Sequence, residues 1–399
     1  MFPIIPANTL TVSYPLNDEG IFGYGTTGSL TAVTNLVSNV GVVASDTAGV
    51  GTARRAPGAT EYGSDKGIFG YGLDGNPYAC SMTNLVSNSG VVASDVAGVG
   101  TDRGAPAACG YGSDKGIFGF GWTGSSNVGV TNLVSNVGVV ADDVAAVGTA
   151  RHAPGACEYG NDKGIFAFGI YSSTFVDESN LVSNSGVIGA DVTGVGTDRS
   201  QVGACTYGGD KGIFGFGNTA GGYVGMTNLV SNAGVVATDV AAVGTARINL
   251  AACEYGANKD TAIFGYGYVT GSATAVTNLV SNVGVVGSDV TGVGTAREAL
   301  AACDYGGDKG IFGYGYDGSG KMTNLVSNTG VVSTDVTGVG TARYYLAATQ
   351  YGYTKGIFAY GTTGSVTGVS NLVSDTGVVA SDVSGVGSAR SHPAGCSWG

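Results

Sequence analysis

The stretch Asp308-Lys309-Gly310-Ile311-Phe312-Gly313-Tyr314-Gly315 returns in near-identical form eight times, and its phenylalanine fixes the register at Phe22, Phe69, Phe118, Phe166, Phe214, Phe264, Phe312 and Phe358. Successive steps are 47, 49, 48, 48, 50, 48 and 46 residues. A repeat of that length is one supersecondary unit that cannot bury its own faces, so neighbouring units must stack as a solenoid, a propeller or an array. The repeats occupy residues 17–399 as a single domain. Residues 1–16 form an N-terminal extension, with a strand-like Thr9-Leu10-Thr11-Val12-Ser13-Tyr14.

Each repeat divides into four strand-like pieces, clearest in the seventh. Strand A is small and apolar, Leu300-Ala301-Ala302-Cys303-Asp304-Tyr305. The turn Gly306-Gly307-Asp308-Lys309 can supply positive φ and leads into strand B, Ile311-Phe312-Gly313-Tyr314. A segment that differs in every copy comes next. Strand C, Thr323-Asn324-Leu325-Val326-Ser327, then passes through Asn328-Thr329-Gly330 to strand D, Val331-Val332-Ser333-Thr334-Asp335. Alternating β-formers broken by Gly, Asn and Asp are the pattern of short antiparallel strands. The reading is therefore all-β: an eight-bladed β-propeller of four-stranded antiparallel blades. The last strand, Ala394-Gly395-Cys396-Ser397-Trp398, repeats strand A and would complete the blade begun by Gly20-Ile21-Phe22. The alternatives are an open solenoid, or the strand at 9–14 taking the A position.

This order of Arg, small apolar strand, turn, aliphatic-aromatic strand with paired glycines, loop, strand, Asn/Gly turn and final strand resembles the Kelch repeat across all eight copies. The family's Gly-Gly doublet is Gly-Tyr-Gly or Gly-Phe-Gly here, and its spaced Tyr and Trp are missing from strands C and D. The near-identity of the copies also resembles repeat proteins predicted in environmental phage genomes. Kelch-like propellers include copper oxidases with Tyr and His ligands. His152 and His392, however, fall in separate copies and make a poor metal cage.

Composition narrows function further. A net charge of −12 with 17 basic residues excludes the concentrated positive face that nucleic acid requires. No apolar run approaches the roughly 18–20 residues needed to span a bilayer, so membrane insertion is not expected. Met1-Phe2-Pro3-Ile4-Ile5-Pro6 has no basic n-region and two prolines. Synthesis in a cytosol without a signal peptide is expected, with a virion as one address implied by the phage likeness. Six of seven cysteines (Cys109, Cys157, Cys205, Cys253, Cys303, Cys396) share one register, where Thr60 and Thr349 stand in the remaining copies. That substitution fits a small packed side chain better than a disulfide or metal ligand. Asp46, Asp95, Asp143, Asp191, Asp239, Asp289, Asp335 and Asp382 each lie eight residues before an Arg, an offset that suggests a charge-assisted bond within or between repeats. No cofactor is expected.

The copies differ most in two places, the B-to-C loop and the residues just after each Arg. An up-and-down blade puts both on one rim. They hold Tyr78, Trp122, Tyr171, Phe175, Tyr223, Tyr268, Tyr316, Tyr344 and Tyr345, the candidate ligand-binding residues. Loops free of packing constraints also vary by default. The repeated carboxylates look evenly spread rather than paired in one cleft. The functional expectation is a non-enzymatic binding scaffold for a glycan or protein surface, with a virion-associated receptor-binding protein as one form of it, and a self-assembling structural protein and a Kelch-like oxidase as alternatives. Self-association is compatible with either of the first two.

Overall fold

The computed structural model describes residues 19–398 apart from 48, 50, 76–78, 146–147, 195, 241–243, 318–320, 337–338 and 384–386. The extension at 1–16 and the alternative strand at 9–14 lie outside the described residues. The described chain is all-β, built from eight three-stranded antiparallel sheets and two small hairpins.

The first sheet contains β1 (Glu19–Gly23) and β2 (Thr34–Val37). The second is β3 (Gly58–Tyr62), β4 (Lys66–Gly70) and β5 (Thr83–Val86). The third is β6 (Ala107–Tyr111), β7 (Lys115–Trp122) and β8 (Asn127–Val134), and the fourth is β9 (Gly155–Tyr159), β10 (Lys163–Tyr171) and β11 (Thr174–Val182). The fifth holds β12 (Gly203–Tyr207) and β13 (Lys211–Gly215), the hairpin β14 (Asn218–Thr219) and β15 (Gly222–Tyr223), and β16 (Thr227–Val230). The sixth repeats that plan with β17 (Ala251–Tyr255), β18 (Thr261–Gly265), β19 (Tyr268–Val269), β20 (Ser272–Ala273) and β21 (Thr277–Val280). The seventh is β22 (Ala301–Tyr305), β23 (Lys309–Gly313) and β24 (Thr323–Val326), and the eighth is β25 (Ala347–Tyr351), β26 (Lys355–Ala359) and β27 (Ser370–Val373). Finally β28 (Ala394–Trp398) pairs antiparallel with β1, setting Ile21 opposite Cys396.

Strand A of each sheet lies beside strand A of the next, from β3 through β6, β9, β12, β17, β22 and β25 to β28, and β28 in turn lies beside β3. The stacking explains the glycines that flank the Ile-Phe pair. A Cβ on Gly70 would sit 2.8 Å from the ring of Phe118 in the next sheet, and one on Gly164 would sit 2.6 Å from Cys109 Sγ in the preceding sheet. The buried Cys thus nests over a bare backbone, which matches the packing role read from the sequence.

The expected fourth strand does not form a ladder. In the seventh repeat the D segment pairs with strand C through the isolated bridges Val326–Val332 and Thr323–Val336, with backbone bonds from Ser327 N–H to Val331 O at 2.9 Å, Ser333 N–H to Leu325 O at 2.8 Å and Val336 N–H to Thr323 O at 2.9 Å. Between them Asn324 donates to the Ser333 carbonyl at 3.1 Å and to Asp335 Oδ1 at 3.1 Å. The side-chain amide takes up the Ser333 carbonyl, so the backbone bonds that remain do not close into a continuous ladder.

The Asp–Arg pairs join successive repeats rather than residues eight apart. Asp239 lies 3.3 Å from Arg199, at the end of the preceding repeat. Each Arg also donates to the Asn of the following strand C, as Arg54 does to Asn84 Oδ1 at 2.6 Å. The same guanidinium covers the Tyr24 ring at 3.8 Å. Tyr24 has φ of 62°, a left-handed conformation costing on the order of 1–3 kcal/mol, which the buried cation–π contact helps offset.

Candidate functional site

Strand A ends in the same way in every copy: a small residue, a variable residue, then an aromatic. The small residue and the aromatic turn toward the next sheet, and pleating therefore sends the variable residue toward the preceding one. Those variable positions are Glu61, Gly110, Glu158, Thr206, Glu254, Asp304, Gln350 and Ser397. Strands A pack side by side, so carboxylates spaced 50 to 97 residues apart in sequence, Glu61, Glu158, Glu254 and Asp304, face a shared interior.

Two adjoining cavities of about 580 Å³ and about 550 Å³ open there, and both are lined by Cys109 and Glu158. The first adds Glu61 and Ser397, the second Thr206 and Glu254. Burial pushes the Glu158 carboxyl up, opposed by the Gly110 backbone N–H that it accepts. Glu254 is pushed up to about 8, first by burial and then by the charge of Asp304, with Lys259 opposing. Its carboxylate also accepts a hydrogen bond from the Thr206 hydroxyl. Asp304 is held by Lys259 at 3.1 Å and by Gln350 at 2.9 Å, and burial raises its pKa as well. A carboxyl kept protonated near neutral pH, next to a second one anchored by a lysine, can donate a proton to a bound molecule.

Sequence reasoning missed this cluster because an even spread along the chain looks like dispersal. Strand A's geometry does the gathering. The available signal was variation inside an otherwise fixed strand, with Glu, Thr, Gln, Asp, Ser and Gly alternating at one register.

The aromatic candidates lie elsewhere. The residues after each Arg bridge to the start of the B-to-C loop, as in Gly104–Trp122, Ile248–Tyr268, Glu298–Tyr316 and Tyr344–Thr362, so the two variable segments do share one face. The A-to-B and C-to-D turns are tied together instead, Asn136 donating to Asp114 at 2.9 Å. Tyr223 meets Tyr268 at 6.1 Å between ring centroids, and Tyr344 meets both Tyr316 and Tyr345 at 5.1 Å. Trp122, Tyr171 and Phe175 fall on the long hairpins of the third and fourth sheets, where Tyr171 is exposed and Phe175 lines a third cavity with Asp198. Tyr78 lies outside the described residues.

A copper centre does not fit these residues. His152 Nδ1 is engaged with Asn127 Oδ1 at 2.9 Å, while the His392 ring is stacked on Tyr345 at 4.4 Å. Among the described residues no group of three or more His, Cys, Asp or Glu stands close enough to hold a metal ion.

No family model matches the chain, and no curated protein matches it in sequence. Among solved structures it is similar to a fungal alcohol oxidase described as having catalytic diversity among the AA5 family, in complex with copper. The TM-score is 0.56 at 14% identity, covering 78% of this chain and 70% of that one. That likeness concerns the fold. It nevertheless corrects the expectation of a non-enzymatic binding scaffold, since a fold of this kind carries an oxidase. The premise behind the expectation also fails physically, because Glu158 and Glu254 line one interior instead of lying dispersed.

Proposed function

We propose that this protein is an enzyme working through the interior cavity between its A strands, with Glu254 as the proton donor. The carrying observation is the Glu254 carboxyl, raised to about 8 beside Asp304 in a polar cavity. Near pH 7 it is protonated and able to give its proton to a leaving or carbonyl oxygen, while Lys259 holds Asp304 in place as the neighbouring charge. The substrate is small and polar, as the lining of Glu, Thr, Ser and Asn requires. The alcohol oxidase likeness favours an enzyme on this fold, but the described side chains do not suit copper, and the proposal routes no step through that metal.

The finer architecture belongs to the same reading. We take the eight sheets as blades of a closed, Kelch-like propeller whose axis is the cavity. The pairing of β28 with β1 and the contact of β28 with β3 support it.

The test is a panel of chromogenic glycosides, esters and phosphates assayed from pH 5 to 9. Turnover that falls by about 100-fold or more in Glu254→Gln, with the melting temperature retained, is expected. Equal rates in the variant, or no turnover of any member, would overturn the proposal.

A further inference from the structure

On the opposite side of the molecule from the A-to-B turns, four rings touch in sequence. Tyr316 meets Tyr344 at 5.1 Å and 71°, Tyr344 meets Tyr345 at 5.1 Å and 62°, and Tyr345 stacks on His392 at 4.4 Å. Tyr316 is 54% exposed and Tyr345 44%, so two of the rings present open surface to solvent. Edge-on ring pairs make corners in which the negative face of one ring lies beside the edge of the next.

The backbone fixes these corners. The Tyr316 N–H donates to Glu298 O at 2.7 Å, Tyr345 N–H to Ala299 O at 3.2 Å, and His392 N–H to Tyr345 O at 3.1 Å. Acidic groups flank the Tyr316 end. Glu298 is its cross-strand partner, with Oε2 held by Asn249 Nδ2 at 2.9 Å, and Asp317 follows it in sequence. The basic groups are Arg55, which faces His392 at the far end, and Lys321, exposed on the same loop.

We propose that Tyr316, Tyr344 and Tyr345, with Glu298, form a binding site for an organic cation of the quaternary ammonium class. Such a cation gains from the faces of electron-rich rings and from a nearby carboxylate, and it sheds its weak hydration cheaply. The surface around it belongs to a chain of net charge −12, which favours cations over anionic ligands. The site stands apart from the interior cavity and does not depend on the enzymatic reading.

Calorimetric titration with choline, and in parallel with its neutral isostere 3,3-dimethylbutan-1-ol, separates charge from shape. Choline is expected to bind and the isostere to bind about tenfold more weakly or not at all. Tyr344→Ala should weaken choline about tenfold and Tyr344→Phe should leave it nearly unchanged, since the ring and not the hydroxyl carries the contact. Tyr316→Ala, at a half-exposed position, gives the same readout should Tyr344→Ala fail to fold. Val137→Ala, on an exposed C-to-D turn away from these rings, should change nothing. Absence of choline binding, equal affinity for the isostere, or binding only of neutral sugars at these rings would overturn the site.

Discussion

Arg390 donates from Nη2 to Oδ1 of Asn35 at 2.6 Å, although 355 residues separate them. The bond reproduces at the two ends of the described chain what Arg54 and Asn84 make between neighbouring repeats. It comes with the rest of the set: Ser388 donates to Asp46, and the Arg390 guanidinium lies 3.6 Å over the Tyr360 ring. Arg390 is fully buried, so its removal leaves Asn35 and Asp46 short of a partner.

Arg390→Met should therefore destabilise by about 3–5 kcal/mol, the usual cost of removing one member of a buried charged network. A double-mutant cycle with Asn35→Ala in denaturant melts should give a coupling of about 1–3 kcal/mol. Additive effects would show that the two residues act independently despite the short bond.

Deleting residues 394–399 removes β28 and exposes β1 along its inner edge, where Glu19 to Gly23 now pair with Trp398 to Ala394. An unpaired strand edge is both unsatisfied and adhesive. The truncated chain should melt well below the intact one and associate at high concentration, as differential scanning calorimetry and light scattering would record. A melting temperature equal to the intact chain's would remove β28 from the folded unit.

The repeat made most of the fold legible, and particular residues show why. The strand B motif announces a strand because Ile and Phe sit between glycines that admit the next sheet's ring, so Phe69, Phe118 and their counterparts are buried as their register suggests. The D segment was misread because Val331 and Val332 have the composition of a strand. Asn324, through its side-chain amide, captures the Ser333 carbonyl there. Val331 is in fact 66% exposed, which no β-propensity reports. The Asp–Arg offset left a bond within or between repeats open, and the structure shows the second, as between Asp239 and Arg199 of the preceding repeat. Eight residues along the chain is a constant in any repeat protein, whereas the partner one repeat away is fixed by stacking. The interior carboxylates were the hardest to see, because Glu158 and Glu254 become neighbours of one cavity only after β9, β12 and β17 have been laid side by side.

Gly164 is bare because Cys109 Sγ occupies the space of its missing Cβ, at 2.6 Å from where that atom would stand. Gly164→Ala should cost about 1–3 kcal/mol through overpacking. Adding Cys109→Ala in the same chain should recover part of that loss, since the two atoms compete for one volume. If the double variant is as unstable as the sum of the singles, the clash is not with the thiol.

Glu254 supplies the pH test. Its ordinary value is 4.5 and burial raises it to about 8 in the folded protein. An acid raised on folding binds its proton more tightly in the native state, so its contribution to stability is fully present below about 4.5 and is lost as pH rises through about 8. Between those limits the native chain must increasingly retain a buried charge beside Asp304, or bind a proton that the unfolded chain has released. Glu254→Gln cannot ionise, so its melting temperature should fall less than the wild type's from pH 5 to 8.5, with the two curves converging at acid pH. The gap at the alkaline end should amount to a few kcal/mol at most, since each pKa unit is worth about 1.4 kcal/mol and the carboxylate can draw on Lys259 and Thr206 for relief. Parallel curves across the whole range would mean that Glu254 titrates normally, and the proton donor of the interior cavity would have to be sought in Glu158 or Asp304.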